Sequence, residues 1–238
     1  CPSQLNTKES PVQHSPFLKL LCLRHGKTLY TGEFPDLTPD GIRDVQTVAK
    51  TLVTKWIKDT GTTHDALEII SSPAPRSNGT ACTVAETIQY PHPVALEPKL
   101  SAMQWRDPTR CKEALKGFAG IGYINYETEP VFADPQLFET PREMRTRWYE
   151  YLTDLIERAQ QRDLCSHHIL VSHYEVFCHI VHDLFEVTAS EETALRHGEP
   201  IMLSVRPHDL RRVSVSGVFR HIITRRYFDL QSRTFSSQ

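Results

Sequence analysis

The 238-residue sequence contains no apolar run approaching the roughly 20 residues that a membrane-spanning helix needs. Its six cysteines, Cys1, Cys22, Cys82, Cys111, Cys165 and Cys178, form no C-x-x-C pair and follow no regular spacing. That disfavours a disulfide framework, and Cys22 and Cys178, set in apolar patterns, read as reduced, buried thiols of a cytoplasmic protein. The first residues do not resemble a secretory leader, and Cys1 in place of Met leaves the true N-terminus open. A surplus of charge is also missing. The 27 basic and 29 acidic residues give a net charge of −2, which argues against general affinity for nucleic acid. Glycine is scarcer than proline, 10 against 16, which suggests well-defined loops. There is no solenoid repeat, low-complexity tract or domain-splitting linker. What remains is an ordinary globular composition, 39% apolar and 24% charged, in a chain long enough to bury a sizeable core. Residues 1–16 are polar, hold three prolines and read as a flexible lead-in, and 17–238 read as a single domain.

Against this background the stretch Leu20-Leu21-Cys22-Leu23-Arg24-His25-Gly26-Lys27-Thr28 stands out. An apolar run from Phe17 to Leu23 stops abruptly at Arg24-His25-Gly26. This is the pattern of a parallel strand buried on both faces, whose carboxyl end delivers two polar side chains to a crevice. Gly26 lets the backbone turn sharply and approach a ligand. Arginine beside histidine suits a phosphate: the guanidinium grips two oxygens and a neutral imidazole can attack phosphorus. For these residues alone, the plain alternative is a strand end with a surface arginine and a hydrogen-bonded histidine.

The same pattern then recurs. Thr38-Pro39-Asp40 opens a helix with an N-cap, a proline in the first turn and an early carboxylate. Ile42, Val45, Val48, Ala49, Leu52, Val53, Trp56 and Ile57 form its apolar face, and Gly61 ends it. Ala66 to Ser71 reads as a second strand, running through Ser72-Pro73-Ala74-Pro75 to Arg76, with a helix from Arg76 to Gln89. Free N–H groups at that helix start would attract an anion. Val94 to Leu96 is a short third strand. Residues 98–139 are irregular and hold Trp105, Phe118, Tyr123, Tyr126, Phe132 and Phe138. They read either as a cap over a site or as a second small hydrophobic cluster. Thr140-Pro141-Arg142-Glu143 is a capping box that starts an amphipathic helix through Ala159. His168 to Ser172 is a fourth strand ending at His173, followed by a helix from Tyr174 to Glu186. Pro200 to Val205 and Val213 to Phe219 alternate as strands and predict a hairpin or sheet edge. The tail from Arg206 carries seven arginines against Asp209 and Asp229 and reads as a solvated face rather than a partner site.

These elements predict an α/β fold, a three-layer sandwich whose mostly parallel central sheet is flanked by helices, with an irregular aromatic-rich insert. Parallel packing would gather Arg24-His25, the turn leading to Arg76, and His173 at one sheet edge. At this point the chain resembles the first branch of the histidine phosphatase superfamily, the phosphoglycerate-mutase-like fold. The matching stretches are Leu23-Arg24-His25-Gly26-Lys27-Thr28, Leu37-Thr38-Pro39-Asp40-Gly41, Ser71-Ser72-Pro73-Ala74-Pro75-Arg76 running into Thr80-Ala81 and Ala85-Glu86, and Leu170-Val171-Ser172-His173. The resemblance implies that His25 is a nucleophile that becomes phosphohistidine. It implies that Arg24, Arg76 and His173 hold the phosphoryl oxygens, with Thr28 adding a hydroxyl donor. It implies chemistry without a metal or cofactor on a small phosphorylated or anionic substrate. A rival metal cluster of His173, His179 and His182 lacks the H-E-x-x-H or paired-cysteine context such sites use.

The departures from the family pattern are informative. A Glu is usual where Leu100-Ser101-Ala102 places Ala102, so the customary proton donor is absent. Glu175, just past the second histidine, and Asp107 in the insert are the replacements to consider, with Glu33 and Asp36 of the first loop behind them. Glu175 equally suits the first turn of a helix for its charge alone. Tyr174 stands where a Gly is common and would narrow the pocket or contribute a hydroxyl. The resulting expectation is a phosphohydrolase acting on a small phosphomonoester. The alternatives are altered, non-phosphatase chemistry on an anionic metabolite, or a non-catalytic anion-binding scaffold.

Overall fold

The computed structural model describes residues 15–29, 35–118, 123–162, 166–188 and 190–237. Residues 1–14 of the expected lead-in and Glu33 lie outside these. Eight strands form one sheet: β1 Leu18–Arg24, β2 Leu67–Ser71, β3 Ala95–Leu96, β4 Ser166–Ser172, β5 Pro200–Pro207, β6 Arg212–Phe219, β7 Ile222–Asp229 and β8 Thr234–Ser236. Their order is β3-β2-β4-β1-β5-β6-β7-β8. The first four strands in that order pair in parallel, and every pairing from β1–β5 onward is antiparallel.

The apolar runs work as two-faced strands. In β1, Leu18, Leu20 and Cys22 face one layer while Leu21 and Leu23 face the other, all 1% exposed or less. The first layer is α5 (Pro141–Gln160) and α6 (Tyr174–Phe185), which bring Trp148, Tyr151, Leu152, Leu155, Phe177 and Ile180. The second holds α1 (Pro39–Val48), a π-turn at Ala49–Val53, α2 (Thr54–Thr60) and α3 (Pro75–Thr87). Val45, Ala49, Val53, Trp56, Ala81 and Val84 pack there. The expected three-layer sandwich is therefore present. The capping box at Thr140 and Glu143 is formed, and Gly61 ends α2 in the left-handed region at φ +68°.

The antiparallel share of the sheet exceeds what the sequence pattern suggested. The basic tail extends the sheet as β7 and β8, with its arginines exposed or half-buried as expected of a solvated face, and five of the seven are ion-paired: Arg211 with Asp229, Arg212 with Asp209, Arg220 with Glu199, Arg226 with Glu186 and Arg233 with Glu150. β7 escaped the pattern because only Phe228 within it is buried, so no apolar alternation marks it. In residues 98–139, Met103, Cys111, Phe132, Leu137 and Phe138 close a third small core with Met144, around α4 (Pro108–Leu115). The insert thus carries a small hydrophobic cluster of its own and also touches Tyr174 and Glu175. Cys22 is buried, whereas Cys178 is only partly so.

One close approach positions the site. α1 packs against the loop leaving β1, where a Cβ on Gly41 would lie 2.3 Å from the Lys27 carbonyl oxygen. Gly41→Ala is therefore expected to destabilise the protein by about 1–3 kcal/mol through overpacking, although alanine has the better helix propensity. A urea-unfolding midpoint at or above that of the unaltered protein would contradict this.

Candidate active site

The parallel pairing sets three chain ends side by side. Arg24 is in register with Ser172 and Ser71 with Val171, so β1, β2 and β4 finish together at one edge. The His25 amide continues the ladder to the Ser172 carbonyl at 2.9 Å, and the Ser72 amide reaches the Val171 carbonyl at 2.9 Å. β4 lies between β2 and β1, which puts His173 between the Ser72 turn and His25. The two imidazole centres are 5.2 Å apart, edge to face.

Arg76, in the first turn of α3, bridges them. Its Nε donates to His25 Nε2 at 3.3 Å and its Nη2 to His173 Nδ1 at 3.1 Å. Each partner fixes a tautomer. His25 Nδ1 donates to the Gly26 carbonyl at 2.8 Å, so its proton sits on Nδ1 and Nε2 keeps a lone pair toward Arg76. His173 accepts at Nδ1, so Nε2 carries its proton and donates to Ser72 Oγ at 2.8 Å, with Ser77 Oγ at 3.2 Å. Gly26 N donates to Thr80 Oγ1 at 2.9 Å, and a Cβ on Gly26 would strike Val45 at 2.6 Å. Only glycine fits at that turn.

Both rings are held neutral. Burial, opposed by the Gly26 carbonyl and aided by the charges of Arg76 and Arg24, pushes the His25 pKa down to about 2. Burial and then Arg76 push His173 well below the usual histidine range. In the unfolded chain these rings take up protons near their ordinary pKa of 6.5. The unfolded state therefore binds more protons below pH 6.5, and stability falls as pH drops from there. The slope is up to about 1.4 kcal/mol per pH unit for each of the two rings. Urea titrations at pH 7 and pH 5 should show the loss, and equal midpoints would contradict it.

The remaining anticipated residues are distributed unevenly. Arg24 is half-buried; Nη1 donates to the Leu195 carbonyl, Nε has no partner among the described residues, and the guanidinium lies 5.5 Å over the Tyr174 ring. Tyr174 is 8% exposed and packs against Tyr123 and Tyr126. It therefore acts as a wall of the site, and burial first of all raises its phenol pKa. Thr28 donates its hydroxyl to the Asp36 carbonyl, which commits that proton to the loop instead of the crevice. Glu175, in the first turn of α6, accepts from the Met103 amide at 3.3 Å, next to Ala102. The segment around Ala102 is braced in turn by Arg147. That guanidinium forms a two-point pair with Glu139 at 2.8 Å and donates to the Lys99 and Ser101 carbonyls. Asp107 caps α4 by accepting from Arg110 N, and Asp36 accepts from its own neighbour Leu37 N. His179 pairs with Glu127 and His182 with Asp183, so these histidines and His173 each have separate partners. Among the described residues no group of three or more potential ligands could hold a metal.

Sequence reading missed Ser72, Ser77 and His197. The two serines sit in and just after a recognised turn. His197 carried a signal, since Arg196-His197-Gly198 repeats the Arg24-His25-Gly26 triplet.

Comparison with known proteins places the fold and the family. Among solved structures, a mycobacterial glucosyl-3-phosphoglycerate phosphatase matches with TM-score 0.56 at 16% identity, over 89% of this chain and 97% of its own. A phosphoglycerate mutase from Bacillus anthracis gives 0.59 at 16%, over 81% and 90%. A putative alpha-ribazole-5'-P phosphatase from Escherichia coli gives 0.54 at 19%, over 93% and 99%. No curated protein matches. At these identities the structures establish the shared fold. A family model, that of branch 1 of the histidine phosphatase superfamily, matches residues 20–215, and the chain belongs to that family.

Proposed function

We propose that this protein is a phosphohydrolase that releases phosphate from a small phosphomonoester through a phosphohistidine on His25. The observation that carries the reading is the hydrogen-bond pair on His25. The Gly26 carbonyl holds the proton on Nδ1, while Nε2 faces the Arg76 guanidinium. A neutral imidazole with a directed lone pair is a nucleophile, and an arginine beside it is a ready phosphoryl clamp.

In this reading an entering phosphoryl group takes over the Arg76 N–H donors that now rest on the two rings, which frees the His25 Nε2 lone pair. Arg24 offers its unpartnered Nε, and His173 sits across from His25 to bear on the remaining oxygens. His25 Nε2 attacks phosphorus as the ester P–O bond breaks. Glu175 is the group assigned to deliver a proton to the departing oxygen. As a carboxylate it then draws a proton from water, whose oxygen attacks the phosphohistidine, releasing phosphate and restoring His25. The contact of Glu175 with the Met103 amide supports this assignment, because it brings a carboxylate beside Ala102, where the family usually carries one. No carboxylate partner relieves the charge of Arg24 among the described residues, which suits a site awaiting an anion.

The test is phosphate release from a panel of small phosphomonoesters between pH 4 and 8. Release by the unaltered protein and none by His25→Ala supports the proposal, and equal release by both would end it.

A further inference from the structure

We propose that His197 and Lys27 form a second anion-recognising ledge beside the phosphoryl pocket, so that the substrate carries a further negatively charged group close to its phosphoester. The inference rests on the phosphatase reading and names the substrate class for that site.

It starts from topology. β1 is flanked by β4 on one side and by the antiparallel β5 on the other. Pro200, at the start of β5, pairs with Leu23 at the end of β1. The segment entering β5 therefore arrives at the catalytic edge on the side of His25 opposite His173. The His197 ring centre is 5.4 Å from that of His25, nearly matching the 5.2 Å to His173, so the three imidazoles form a row along the edge.

His197 is exposed, yet the turn that presents it is tightly held. Gly198, at φ +68°, donates its amide to the Arg24 carbonyl at 3.0 Å, and the Arg24 amide reaches the Glu199 carbonyl at 3.4 Å. Arg220 grips the Glu199 carboxylate with Nε and Nη2 and donates to the Glu192 and Ala194 carbonyls. An exposed ring on a turn held this firmly beside His25, with no hydrogen bond to either nitrogen among the described residues, is placed to meet a ligand. Lys27, two residues past His25, is likewise exposed and has no ion-pair partner among the described residues. This contrasts with the tail arginines, most of which are matched to carboxylates.

Charge balance points the same way. Arg24 and Arg76 bear on His25, and Arg24 and Lys27 bear on His197, three positive charges along this edge. A phosphomonoester dianion neutralises two of them. The third, Lys27, lies toward His197, whose protonation is opposed by desolvation and then by Arg24 and Lys27. A second anionic group on the substrate would occupy that side. It would accept hydrogen bonds from Lys27 Nζ and from an imidazole N–H, and ease protonation of the ring.

The probes are phosphoglycolate, which has a carboxylate one carbon from the ester oxygen, and ethyl phosphate, of similar size and lacking it. The unaltered protein should favour phosphoglycolate in kcat/KM by about tenfold or more. His197→Ala and Lys27→Met should each shrink that ratio, whatever they do to either rate alone. Calorimetric binding of both esters to His25→Ala protein supplies a readout independent of turnover. Tighter binding of phosphoglycolate, lost on adding His197→Ala, supports the ledge even if no ester is hydrolysed, an outcome that would instead defeat the phosphatase reading. Hydrolysis without preference, together with equal binding of the two esters, overturns the ledge and leaves the phosphatase intact.

Discussion

Replacing His25 with alanine is expected to reduce phosphate release by roughly 10⁴-fold or more, since the nucleophile acts as a unit with the groups around it. The ring is 2% exposed, and its Nδ1 donates to the carbonyl of the following glycine. Removal leaves a small cavity at a turn still held by the Gly26 amide on Thr80 Oγ1 and the residue-25 amide on the Ser172 carbonyl. The variant should therefore fold and bind phosphate while failing to turn over. A covalent readout separates this from a general weakening of the site. Radiolabelled ester quenched in alkali, where phosphohistidine survives, should leave label on the unaltered protein and none on His25→Ala. Label retained by the variant would place the nucleophile elsewhere.

The second large effect tests Glu175 as the proposed acid. Glu175→Gln keeps an oxygen that can accept from the Met103 amide and removes the transferable proton. The expected cost is about 10²–10⁴-fold in kcat for alkyl phosphates. With p-nitrophenyl phosphate, whose leaving group departs unaided, the first step should be largely spared while hydrolysis of the phosphohistidine slows. A burst of nitrophenol equal to the enzyme concentration is then expected. An unchanged kcat for the alkyl esters would remove Glu175 from the mechanism. A comparable loss in Asp107→Asn would move the acid to the insert, where Asp107 now serves as the cap of α4.

How much of the site could be read in advance follows from the range of the interactions involved. Arg24-His25, Arg76 and His173 were legible because each ends or follows a buried parallel strand, and such strands announce themselves as apolar runs. The tautomers were not legible. They depend on the Gly26 carbonyl for one ring and on Ser72, Ser77 and Arg76 for the other, and the latter are contacts across roughly a hundred residues. Thr28 looked like a ligand by its place in the motif, but the loop packing turns its hydroxyl to Asp36. The Arg196-His197-Gly198 triplet marks His197, but its place beside His25 depends on β5 returning alongside β1, which no local pattern states.

The two-faced strands, the capped helices and the order of the motifs were set locally, because burial periodicity and capping are properties of short stretches of chain. The alternation in β1 and the Thr140–Glu143 box are built as that local chemistry demands. Only the tertiary structure decided that β7 and β8 extend the sheet, since edge strands stabilised by ladder hydrogen bonds and ion pairs need no apolar pattern. It alone set Glu175 beside Ala102 and His197 beside His25. Those neighbours come from different strands, and strand order is settled by how the layers pack, which no single stretch of sequence encodes.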